Sequence, residues 1–210
     1  MKKRLFVFFG LALCAIALGI TFNLGLSRSA TAAAEAQDPA VSTGNGMLDI
    51  LHEKLVVDVA CDGTTFRLNK SGTILDARRG DGFIVQGKIY PGGTIQPGGT
   101  METPGPFDPR TAPGDIGTWV CRGNFSFDIG EILMGAEPHL FSTQHHIFKN
   151  GRSLVHDGPE GGGPQVRAII GGTGAYAGYL GEVIEEPLGV NATGLFNIRF
   201  TFKFVKKPGK

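Results

Sequence analysis

Leu195-Phe196-Asn197-Ile198-Arg199-Phe200-Thr201-Phe202-Lys203-Phe204-Val205 decides the fold. Phe196, Ile198, Phe200, Phe202 and Phe204 fall on one face, and Asn197, Arg199, Thr201 and Lys203 on the other. Period two over this length is a strand with one apolar and one wet face. Outward from it the same pattern recurs. Trp119, Cys121, Phe125 and Phe127 alternate with Arg122, Asn124, Ser126 and Asp128, while Leu55, Val57, Val59 and Cys61 alternate with Asp58 and Asp62. Shorter candidates lie at 66–69, 73–78, 82–90, 139–148, 153–157, 165–171 and 181–186, and Lys149-Asn150-Gly151 between two of them reads as a hairpin turn. The 33 glycines and 12 prolines punctuate apolar runs too short for helices. No run of ten or more helix-periodic residues follows residue 37. An antiparallel sheet closed on itself buries these faces and removes its edges. The length of the strands and the glycines beside them favour an all-β, eight-stranded antiparallel barrel over a sandwich.

The segment 92–117 breaks the pattern. It holds Pro97, Pro104, Pro106, Pro109, Pro113 and seven glycines, with hardly a side chain suited to a core. A loop this long in a compact domain is usually functional or disordered. As a functional element it would be a lid or rim over a cavity; otherwise it is a proline-stiffened decoration or part of a subunit contact.

Ile169-Ile170-Gly171-Gly172-Thr173-Gly174-Ala175-Tyr176-Ala177-Gly178-Tyr179-Leu180-Gly181-Glu182-Val183 goes beyond generic strand grammar. It resembles the Gly-Gly-Thr-Gly-x-aromatic segment of dirigent proteins and the wider allene oxide cyclase-like barrels, in which a strand ends, the chain turns tightly and the next strand leaves from a final glycine. A phosphate-binding reading of Gly172-x-Gly174 fails, because no Gly-Lys-Ser/Thr follows and the chain continues into a strand. The resemblance covers about residues 55 to 204 in layout and rests on these 15 residues in detail. It implies an exported eight-stranded antiparallel barrel with a central cavity, often dimeric or trimeric. In some members that barrel is an isomerase, cyclase or stereochemical guide for reactive apolar intermediates. Ala177, Gly178 and Leu180 stand where the dirigent pattern has arginine or similar polar residues, so the family's ligand-contacting residues do not transfer.

The chain opens with Lys2, Lys3 and Arg4, then runs from Leu5 to Phe22 without a charge before turning small and polar. That order is a secretory signal. It predicts a signal peptide over 1–36, a flexible segment over 37–53 and a barrel domain over 54–206, secreted or periplasmic, with no stable membrane insertion after cleavage. Cleavage takes Lys2, Lys3, Arg4, Arg28 and Glu35, which turns the formal charge from +1 to −2. Scattered charges of near-zero sum offer no footprint for nucleic acid. Two cysteines remain, Cys61 and Cys121. In an oxidising compartment an even pair is most simply a disulfide; the alternative is two buried thiols packed as small hydrophobes.

Chemistry in such a barrel needs a titratable group in the cavity. His139, His145, His146 and His156 cluster around the Asn150 hairpin. His145 shares a face with Phe141, Thr143 and Ile147, which suggests that it points inward, whereas His146 lies with Ser142 and Gln144. Inward, His145 would be an acid or base near neutral pH. Arg122 and Asp58, with Asp128, Glu182, Glu185 and Arg199, supply charged pairs, and their alternation with apolar residues places them toward solvent if the core lies inside the barrel. The catalytic candidates are therefore His145, Arg122 and Asp58. No cofactor is indicated, and no spacing enforces a metal site: His145, His156 and a carboxylate would have to converge. Hydrolase, zinc-protease and thioredoxin motifs are absent from the sequence. The functional expectation is a barrel, homo-oligomeric by resemblance, that binds a small apolar or phenolic molecule and guides its cyclisation or isomerisation. The alternatives are a lipocalin-like binder and a structural barrel with a packed interior.

Overall fold

The computed structural model describes residues 54–72 and 74–205. The expected signal peptide over 1–36 and the segment 37–53 lie outside the described residues.

Eight strands follow in chain order: β1 (Lys54–Leu68), β2 (Gly82–Pro91), β3 (Gly117–Phe125), β4 (Leu140–Phe148), β5 (Ser153–Glu160), β6 (Gln165–Thr173), β7 (Leu180–Val190) and β8 (Phe196–Val205). Each pairs antiparallel with its neighbour in sequence, and β8 closes on β1 from Lys54↔Lys203 to Ala60↔Asn197. The eight-stranded antiparallel barrel expected from the alternation is the fold observed. The 66–69 segment is the end of β1 beyond an irregularity between Asp62 and Arg67. The 73–78 segment is not a strand: Ile74–Asp76 forms a single 3-10 turn. One short helix, α1 (Ile129–Leu133), is too brief to leave a helical period in the sequence. It begins where Glu131 accepts a hydrogen bond from the Asp128 N–H at 2.9 Å, a reciprocal cap that substitutes for length.

Strand twist and closure turn one face of every strand inward. Val57, Val59, Ile89, Trp119, Leu154, Ile169, Val183, Phe200 and Phe202 form the inner core. One end of the barrel is filled by Phe66, stacked on Phe83 at 5.8 Å, and Phe125, tilted against Phe83 at 5.5 Å, with Ile132 of α1 in the same cluster. Tyr176, the aromatic of the Gly171 to Gly181 segment, closes the other end against Phe204 and Phe148. The Asn150 hairpin is also found, with Gly151 at φ +80°.

The segment 92–116 is not a lid. It leaves the barrel end after β2 and runs along the outer wall, donating from Gly98 N to Leu188 O and from Gly105 N to Val190 O, at 2.8 and 2.7 Å. Ile95 and Phe107 bury a second, smaller core with Ala60, Tyr90 and Leu188 on the outside of the sheet. A chain with so few large side chains can cover an outer face but cannot reach into a packed interior.

Candidate functional site

The interior is not uniformly apolar. Strands β4 and β6 invert the usual pattern: Ser142, Gln144, His146 and Arg167 point inward and are buried, while Phe141, Ile147, Val166 and Ile170 are exposed on the outer wall. The expected inward placement of His145 is corrected, because it shares the outer face with Phe141 and Ile147. The charges expected to face solvent also have an exception, since Glu185 projects inward from β7.

Ser142, Gln144, Arg167 and Glu185, with Glu160 of β5, form one hydrogen-bonded group across the middle of the barrel. Arg167 Nη1 donates to Glu160 Oε1 at 2.9 Å and to Glu185 Oε2 at 3.1 Å. Gln144 Nε2 donates to the same two oxygens at 2.9 and 3.1 Å, so guanidinium and amide each bridge the carboxylates. Gln144 Oε1 accepts from the Trp119 indole at 2.8 Å, which fixes the amide's orientation. Arg167 Nη2 donates to the Ser142 carbonyl and hydroxyl, and that hydroxyl donates to Glu160. Opposite Arg167, Gly158 has φ +155°, and a Cβ there would meet the Arg167 side chain at 3.3 Å; the missing side chain makes room for the arginine. The arginine side chain is 0% exposed, Glu185 9% and Glu160 21%, so Glu160 is the member that reaches solvent.

Two carboxylates share one guanidinium, and isolated burial of the second charge is costly. Burial, followed by repulsion from Glu160, raises the Glu185 pKa to about 8. The pair therefore retains a proton at neutral pH. Beside it His146 and His156 face each other, Nε2 to Nε2 at 3.0 Å, with their rings against Phe200 and Phe202. Burial, with Arg167 close by, holds His146 down at about 3 and His156 well below the usual imidazole range, so both are neutral. Three buried nitrogens in this interior, Nδ1 of His146, Nδ1 of His156 and Nε of Arg167, have no protein partner. Among the described residues no three or more His, Cys, Asp and Glu side chains are grouped to hold a metal ion.

Of the three sequence candidates, none is in this group. His145 and Arg122 lie on the outer wall. Asp58 is fully buried, but on the outer side under the 92–116 segment. There it accepts from Arg199 Nε at 2.8 Å and from the Ile95 N–H at 2.9 Å. The expected Cys61–Cys121 disulfide is also corrected: both thiols are free and buried. Cys61 faces Gly87 and Cys121 faces Val85 of the intervening β2. Two strand spacings, roughly 10 Å, exceed the reach of about 7 Å that a disulfide allows. Burial and the nearby carboxylates raise both thiol pKa values. Arg167 and Glu160 are not among the sequence candidates, although Arg167 shares a face with Ile169 in an alternating segment, a signal that it points inward.

No family model matches the chain, and no curated protein matches it significantly. Solved structures do. The pterocarpan synthase dirigent protein PsPTS1 superposes with a TM-score of 0.50 at 15% identity, over 71% of this chain and 91% of that one. The fold is that of a dirigent-like barrel. A second pterocarpan synthase dirigent protein, GePTS1, gives 0.49 at 13% identity over 71% and 85% of the two chains, and a pyocyanin demethylase gives 0.45 at 16% over 73% and 100%. The barrel that the resemblance of the Gly171 to Gly181 segment implies is the fold shared with PsPTS1.

Proposed function

We propose that this protein is exported, binds a small apolar or phenolic molecule within the barrel, and guides its isomerisation or cyclisation by moving a proton through Glu160 and Glu185. The observation that carries the reading is the carboxylate pair bridged twice, by Arg167 and by Gln144, in a barrel interior whose core is aliphatic and aromatic. An isomerisation needs one proton delivered and one removed, with no net change. A pair holding a single proton, one member buried and the other reaching solvent, can do both and exchange its proton with water. The unpartnered nitrogens of His146, His156 and Arg167 offer hydrogen bonds that a hydroxyl or carbonyl of the bound molecule would take. Phe200 and Phe202 supply apolar surface beside them. That a protein of this fold is a synthase by name agrees with the reading.

The second reading is a structural barrel whose interior is filled by its own side chains. It is favoured by the complete burial of Arg167 and by an open groove that lies outside the barrel. Trp119 is the one tryptophan of the chain and is hydrogen-bonded to Gln144, so its emission reports on the interior. Titrating flat phenols and enones into the protein should quench it saturably, and turnover of a bound compound in deuterated water should be lost in Glu185→Gln. Binding without turnover leaves a lipocalin-like carrier. No response across the series leaves the structural barrel.

A further inference from the structure

The register alone sets a row of side chains across the outer wall. Arg67 of β1 pairs with Ile84, Ile84 with Arg122, Arg122 with Thr143 and Thr143 with Asp157. Five residues from five strands thus stand in one line on the outward face. Opposed residues on neighbouring strands have Cβ atoms about 5 Å apart, so the two arginine stems stand about 10 Å apart with Ile84 between them. The row lines an open groove of about 500 Å³, within the size range of small-molecule sites. Ile84 is 42% exposed, and Phe141, on the same face next to Thr143, is 54% exposed.

The charges are unequal. Asp157 accepts from the Thr143 hydroxyl at 2.6 Å. Arg67 donates to the carbonyls of Thr64 and Phe66, which orient its guanidinium without neutralising it. Among the described residues, Arg122 makes no ion pair or hydrogen bond. Two cations against one anion leave the groove positive, with a planar fork of donors unoccupied at its centre and apolar surface on both sides.

The geometry points to a binding site on the outer wall for a small monocarboxylate with a flat apolar body, its carboxylate on Arg122 and its body across Ile84 and Phe141. Arginine fits because its parallel N–H groups match the two oxygens of a carboxylate. Asp157 at the far end of the row rejects a second negative group by like-charge repulsion, which makes the ligand a monoanion. Two cations are too few for a polyanion such as nucleic acid. The site is separated by the sheet from Glu160 and Glu185 and does not depend on their role.

Cinnamate is a suitable probe, with cinnamamide as its neutral counterpart. In calorimetry and amide-shift titrations cinnamate binds, more weakly as salt rises, and perturbs Ile84, Arg122 and Thr143, while cinnamamide binds at least tenfold more weakly. Arg122→Leu weakens cinnamate at least tenfold, Arg122→Lys less so, and Glu185→Gln leaves its affinity unchanged. The proposal is overturned if cinnamate does not bind, if Arg122→Leu binds it as tightly as the parent, or if the shifts centre on Trp119 and Gln144. It is also overturned if sedimentation shows that a second copy covers this wall, so that binding appears only when Phe141→Ser dissociates the copies.

Discussion

The buried titratable residues pull stability in opposite directions with pH. The Glu185 pKa is raised to about 8 in the folded chain, against about 4.3 for an unperturbed glutamate. Between those values the folded state binds more protons than the unfolded one, so this group's contribution falls as pH rises through the window. His146 is lowered to about 3, against about 6.5 unperturbed. Between these values the unfolded state binds more protons, so stability falls as pH drops. His156 is lowered as well, so below about 6.5 the two imidazoles outweigh the single carboxyl and stability peaks near pH 6.5, with slopes of at most about 1.4 kcal/mol per pH unit for each net proton. Urea unfolding at pH 5, 6.5 and 8 checks both limbs. The parent protein should be weaker at pH 8 than at 6.5, and Glu185→Gln should remove that loss. An equal loss in Glu185→Gln would mean that another group titrates. His146→Phe should flatten the acid limb, because a phenyl ring can pack on Phe200 and Phe202 without a proton to gain.

At the scale of elements, the Gly174 turn ties β6 to β7. Gly174 has φ +61°, and a Cβ there would meet the Arg152 side chain at 3.0 Å, whereas Gly171 has nothing within 4 Å of an added Cβ. Gly174→Val should therefore cost about 1 to 3 kcal/mol through backbone strain and crowding, and Gly171→Ala little. Denaturant midpoints of the two variants measured side by side decide the point. The turn was legible because glycine spacing is local information, as was the barrel, because alternation along Leu195 to Val205 is local too. What alternation does not carry is which face is inside. In β8 the apolar face is the inner one, and the expectation holds. In β4 the inner face carries Ser142 and Gln144, which can be buried only because Trp119, Arg167, Glu160 and Glu185 arrive from four other strands to satisfy them, and His146, which meets His156 of β5. The face of β4 that carries His145 is the more apolar one, so the local pattern points it inward. Partners that lie on other strands leave no mark in the local pattern, so the interior polar group was not legible, and neither was the separation of Cys61 from Cys121 by β2.

At the scale of the whole molecule, the barrel wears two different outer walls. Around β1, β7, β8 and the Tyr90 end of β2 the wall is covered by the 92–116 segment, and around the rest of β2 and β3 to β6 no other described segment lies over it, with Ile84, Phe141, Ile147, Val166 and Ile170 exposed. The covered wall turns on Asp58, whose carboxylate binds both Arg199 of β8 and the Ile95 N–H of the segment. Asp58→Ala removes both contacts at once. It leaves the Arg199 guanidinium and a buried amide without that partner, at a cost of about 1 to 3 kcal/mol. The barrel ladders do not pass through Asp58's side chain, so the loss should appear as local opening rather than collapse. Hydrogen exchange should speed up at Ile95, Gly98 and Gly105, whose amides hold the segment to the wall, while β3 to β5 stay protected. Because the segment lies outside the barrel and not over its mouth, Trp119 emission should be unchanged. If Asp58→Ala instead exposed Trp119 to quencher without faster exchange at Ile95, the segment would be guarding the interior after all, and the division of the molecule into a covered outer wall and a separate polar interior would be wrong.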